Sequence, residues 1–107
     1  MLLSRLQQEV KAWAQHNFPN AKPYQPLLGA VEEIGELAHA HLKEEQQIRG
    51  NTEEHQAAKV DAVADIIIYL ADYCWRNNIN LEEAVEKTWA SVVIRDWVKY
   101  PTNGITH

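Results

Sequence analysis

Cysteine, glycine and positive charge are all scarce in this chain. Its 107 residues include one cysteine, Cys74, four glycines and ten lysines or arginines. One cysteine excludes an intrachain disulfide framework. The opening Met1-Leu2-Leu3-Ser4-Arg5 turns polar before an apolar run can reach signal-peptide length, so a cytoplasmic location is expected. Fifteen acids outweigh the ten bases for a net charge of −5, which argues against nucleic-acid binding driven by bulk charge. With 46% hydrophobic and 23% charged residues, the composition excludes a disordered tail, a collagen-like repeat and a membrane protein. No repeat, low-complexity tract or linker interrupts the chain, and its length suits one domain. Residues 1–101 are expected to form that domain, and 102–107 a flexible tail.

The acids are unevenly placed. Residues 32–72 hold ten of the fifteen and only Lys43, Arg49 and Lys59 as bases, a segment charge of −7. Apolar residues recur at helical spacing with no sustained strand alternation, which predicts an all-α, four-helix bundle. The first helix covers about residues 2–17, with Leu3, Leu6, Val10, Trp13 and Ala14 on one face. Pro19, Pro23 and Pro26 mark an ordered loop. The second helix starts near Pro26 and stops at Gly50 as an αL residue, with Val31, Ile34, Ala38 and Leu42 as its apolar face. Asn51 or Thr52 can cap a third helix running to about Asn77, with Glu54 three residues after Asn51 as in a capping box. Asn80, with Glu83, caps a fourth that ends before Pro101, with Trp89, Val93, Trp97 and Tyr100 as its core face.

Between Val60 and Trp75 the only charged residues are Asp61, Asp65 and Asp72, within about 40° of one another on the helix. A helix apolar nearly all round belongs in a core or a subunit interface, so a homodimer or homotetramer is expected. Glu33 and Glu36 share one side of the second helix, and Gly35 beside them would admit another backbone. Packed antiparallel, the two helices would set Glu33 and Glu36 against Asp61 and Asp65. Such carboxylates repel by about 1–4 kcal/mol per pair and stay ionised together only when cations neutralise them. Oxygen donors favour a hard ion, Mg²⁺ before Mn²⁺, and hence phosphoryl chemistry.

Ala30-Val31-Glu32-Glu33-Ile34-Gly35-Glu36-Leu37-Ala38 resembles the EExGEL segment of the MazG-like all-α NTP pyrophosphohydrolases. Val63 to Leu70 is similar to that family's ExxD motif and the apolar run after it, and Trp89 to Trp97 is similar to the closing helix of its small members. One departure stands out: the ExxD glutamate falls at Ala62, and the nearest acid is Asp61. The resemblance implies Mg²⁺-dependent hydrolysis of a (d)NTP to (d)NMP and pyrophosphate in nucleotide metabolism, with a lean towards a purine such as (d)GTP. It implies Glu33, Glu36 and Asp65 as metal ligands with Asp61 provisional, Glu32 or Glu33 acting on the attacking water, and a dimeric or tetrameric assembly.

Lys87, Ser91 and Arg95 fall at i, i+4 and i+8; spacing alone leaves them open between surface charge and phosphate contact. The family's similar Lys–Arg pair implies phosphate contact, and Lys99 is a further candidate. Trp13 and Phe18 flank the proline-rich loop and are candidates for the nucleoside pocket. Asp72 is open between a sugar contact and an ion pair with Arg76. Two other classes compete: an inactive helical interaction module, for which Ala62 is the sign, and a di-metal carboxylate redox protein, suggested by Glu36-x-x-His39. The latter lacks a second copy, since Ile68 follows Asp65 at that spacing.

Overall fold

The computed structural model describes residues 2–106; Met1 and His107 lie outside the described residues. Those residues form four helices and no strand: α1 (Leu3–Asn17), α2 (Gln25–Gln46), α3 (Thr52–Arg76) and α4 (Leu81–Val93). None is long and apolar enough to cross a membrane.

The starts of α3 and α4 follow from local chemistry. Asn51 accepts from the Glu54 amide at 2.8 Å, and Glu54 accepts from the Asn51 amide, a complete capping box. Asn80 accepts from the Glu83 amide at 3.0 Å. Two helix ends differ from expectation. α2 stops at Gln46 because Gln47 takes the αL conformation, and the Ile48 amide returns to the Lys43 carbonyl. Gly50, at φ +130°, belongs to the turn beyond rather than to the helix end. α4 ends at Val93 instead of approaching Pro101. Val92, Val93 and Ile94 are β-branched and weaken the helix there. Asp96 then offers its carboxylate to the Val98 and Lys99 amides, a competing turn. The segment folds back through Asp96 N–H to Gly104 O and Gly104 N–H to Tyr100 O.

α2 packs along α3, α1 lies across α3, and α4 touches α1. Gln7 ties the α3–α4 turn to α1, donating to the Ile79 carbonyl and accepting from the Leu81 amide. The buried apolar residues are small: Val10, Ala14, Ala30, Ala40, Ala62, Ala71 and Cys74. Gly29 belongs to the same close packing, since a Cβ there would run into the Tyr69 ring. Gly35 does not: a Cβ would meet open space, so the expected backbone approach is absent among the described residues.

Several expected core faces are exposed instead. Val31, Ile34 and Leu42 of α2 lie open, as do Trp89 and Val93 of α4, Trp97 beyond it, and Val60, Val63, Ile67 and Ile68 of α3. Asp61 and Asp65 are exposed rather than buried, since they face the open cleft between α2 and α3. The cause is geometric: three helices in contact enclose little volume, and α4 stands aside. The radius of gyration is 17.5 Å, against about 13 Å for a compact chain of this length.

Candidate functional site

α2 and α3 run from opposite sides of the Gln47–Asn51 turn, so their acids meet across one cleft. Glu33 and Glu36 from α2 and Asp61 and Asp65 from α3 line the same cavity, of about 360 Å³. The expected juxtaposition is therefore present. Ala62, where the resembled motif has glutamate, is buried and also lines it. Glu32 is exposed on the neighbouring side of α2 and lines neither this cavity nor the next.

Glu33 is half-buried, and its pKa is raised, first by loss of hydration and then by the charges of Asp65, Glu36 and Glu32. A carboxyl with a raised folded pKa makes the native state bind more protons than the unfolded chain just above the ordinary glutamate range. Stability must then fall as pH rises through that window. Glu33→Gln is expected to remove this part of the pH dependence and raise Tm at neutral pH, as thermal unfolding from pH 4 to 8 would show. A Tm–pH profile identical to wild type would contradict it.

The donor set suits a hard divalent cation in chemistry and location: five carboxylates line the cavity, Glu54 among them as the capping-box partner of Asn51. They do not converge on a point: among the described residues no group of three or more His, Cys, Asp or Glu side chains is close enough to hold a metal ion. Any ion there must draw exposed, mobile carboxylates together.

A second cavity, about 410 Å³, shares Glu33 and Asp65 with the first and continues past Tyr69 and Asp72 to Trp13 and Phe18. Trp13 and Phe18 meet edge to face at 5.7 Å, and both are more than half exposed. The two rings form an open apolar wall large enough for a small ligand. Asp72 accepts from Arg76 Nε and from Trp75 Nε1, each at 2.7 Å. Arg76 also reaches the Ala21 and Phe18 carbonyls, so the pair pins the proline-rich loop.

Lys87, Arg95 and Lys99 line neither cavity. Lys87 is on α4; Arg95 and Lys99 lie beyond its end, over the rings of Trp97 and Tyr100. Within one chain they are not brought to the acids. His39, weighed in the sequence only as part of Glu36-x-x-His39, lies on the acid cavity, and the residues missed from sequence are Lys43, Arg49 and His55, on the same cavity. Periodicity could have found Lys43, which lies seven residues after Glu36 and on the same helical face. His55 is buried, with Nε2 3.0 Å from the Ile48 carbonyl, and so braces the turn that carries Arg49.

No protein-family model matches this chain, and no curated protein matches it.

Proposed function

We infer that the chain is a MazG-like, Mg²⁺-dependent nucleoside triphosphate pyrophosphohydrolase, converting a (d)NTP to (d)NMP and pyrophosphate. One observation carries the reading. A cleft lined by carboxylates from α2 and α3 opens, through Glu33 and Asp65, into a cavity walled by aromatic rings. A base fits the second, and a metal-bound polyphosphate suits the first.

Glu33, Glu36 and Asp65 hold the ion in this reading, with Asp61 as the shorter replacement for the glutamate absent at Ala62. Bound Mg²⁺ supplies charge neutralisation and a more acidic water. In the reaction a water oxygen bonds to the α- or the β-phosphorus, and the bond from that phosphorus to the α–β bridging oxygen breaks. The bonding pair stays on the bridging oxygen of the departing product, and the water's proton passes to Glu33, the glutamate of the pair that lines the cleft, and on to solvent. Trp13 and Phe18 hold the base, while Asp72 acts through the loop it pins.

A homodimer, or a tetramer of dimers, belongs to the same reading. The chain exposes 8071 Å², against roughly 6,100 Å² for a compact monomer of this size. The excess lies on the open apolar faces of α2, α3 and α4, and a second copy is the simplest cover. In the assembly Lys87, Arg95 and Lys99 reach a cleft only from another copy. Small-angle scattering is expected to give a dimer or larger; a monomer that stays tightly folded at micromolar concentration would refute this.

The activity is tested by incubating the protein with each NTP and dNTP in Mg²⁺, Mn²⁺ or EDTA and resolving the products. Monophosphate plus pyrophosphate is expected, with loss in EDTA. Orthophosphate, or no turnover with any nucleotide and metal, would overturn it; the second result favours the interaction module.

A further inference from the structure

The two cavities are strung along α2 in a fixed order. Gln25 and Pro26 line the aromatic cavity, Glu33 is common to both, and Glu36 and Lys43 follow on the acid cavity. Arg49 closes the same cavity from the turn after the helix. At 1.5 Å per residue, Lys43 lies about 10 Å beyond Glu36 along the axis, and a lysine side chain leans back towards the helix N-terminus. The acidic cleft therefore has an aromatic end and a cationic end.

Among the described residues neither cation makes an ion pair with the acids around it, Glu54 at the same end of the cavity included. Lys43 Nζ donates to Gln46 Oε1 at 2.9 Å, a weak exposed contact on its own helix. Arg49 makes no ion pair or side-chain hydrogen bond among the described residues. The one cross-helix pair in this region, Lys59 with Glu44, involves neither cation. Arg49 is also held in a costly backbone conformation, φ +58°, between Gln47 at the same φ and Gly50. The capping box and the His55–Ile48 contact fix that turn.

We propose that Lys43 and Arg49 form a pyrophosphate subsite, holding the β- and γ-phosphates of a triphosphate whose base lies against Trp13 and Phe18. This rests on the reading of the chain as a pyrophosphohydrolase and gives it a direction. The α–β bridge sits at Glu33 and Asp65, and the pyrophosphate product departs towards the α2–α3 turn. The guanidinium matches two phosphate oxygens at once, and the ammonium adds a point charge.

The test titrates inorganic pyrophosphate with Mg²⁺, and separately the monophosphate product, into wild type, Lys43→Gln and Arg49→Asn. Asparagine tolerates the left-handed backbone at position 49. Arg5→Gln, which loses only a surface pair with Glu9, controls for net charge. Calorimetry and product inhibition are both expected to show pyrophosphate binding weakened roughly tenfold or more in each cleft variant. Monophosphate binding and Tm should stay at wild-type values. Unchanged pyrophosphate binding, or a loss confined to the monophosphate, overturns the subsite. If wild type hydrolyses no triphosphate, the pyrophosphohydrolase reading fails by itself. Pyrophosphate binding by calorimetry still decides the subsite: dependence on Lys43 and Arg49 supports it, and no binding by wild type refutes it.

Discussion

Glu36→Ala or Asp65→Ala is expected to lower pyrophosphate release roughly a thousandfold or more while the protein remains folded. Glu36 and Asp65 face each other across the cleft from different helices, so each truncation removes a donor from one wall. Both side chains are exposed, so no buried partner is orphaned. Removing one of these like charges also relieves repulsion, and Tm should hold or rise slightly. Product analysis by anion-exchange chromatography, with circular dichroism for fold, makes the check. Near-wild-type turnover in both variants would mean that the cleft is not the active site. Asp61→Ala, measured alongside, decides whether that residue stands in for the glutamate absent at Ala62.

Asp72→Ala is expected to do the opposite, costing stability first. Side-chain exposures of 14% for Asp72 and 6% for Arg76 make theirs the most buried ion pair among the described residues. Removing the carboxylate leaves a desolvated guanidinium and an indole N–H without their acceptor. The cost is about 2–3 kcal/mol, or a Tm lowered by roughly 10–15 °C. Because Arg76 also holds the Phe18 and Ala21 carbonyls, the proline-rich loop should loosen, visible as faster amide exchange there. A variant with unchanged Tm and only a raised KM would make Asp72 a ligand contact rather than a brace.

What could be read from sequence was whatever depends on neighbours along the chain. Asn51 with Glu54 and Asn80 with Glu83 mark helix starts through hydrogen bonds spanning three residues, and both starts are where expected. The facing of Glu33 and Glu36 by Asp61 and Asp65 was legible because a short turn forces antiparallel packing. The end of α4 was not, since the apolar spacing continues to Tyr100 while the β-branched run and Asp96 break the backbone earlier. Lys43 and Arg49 were hidden by arithmetic: within a −7 segment they counted only as partial offsets, and their position at one end of the cleft needs three dimensions. Exposure of Val31, Ile34 and Trp89 reflects the same limit, because periodicity marks an apolar face without saying which surface covers it.

The alanines between the long helices carry a consequence for how this protein can vary. Ala30 and Ala40 on α2 and Ala62 on α3 are nearly inaccessible, so neighbouring atoms leave little spare volume where they lie. A position filled by a methyl group can change in one direction only: glycine loosens the helix, and every other residue wedges the pair apart. The carboxylates ride on these helices, so their separation is inherited from the alanines. A saturation scan would then find the least tolerant positions at these unreactive methyl groups, with the charged residues often permitting a fold but no chemistry. Divergence of substrate preference, by the same logic, has room at the rim of the aromatic cavity and little along the helix contact.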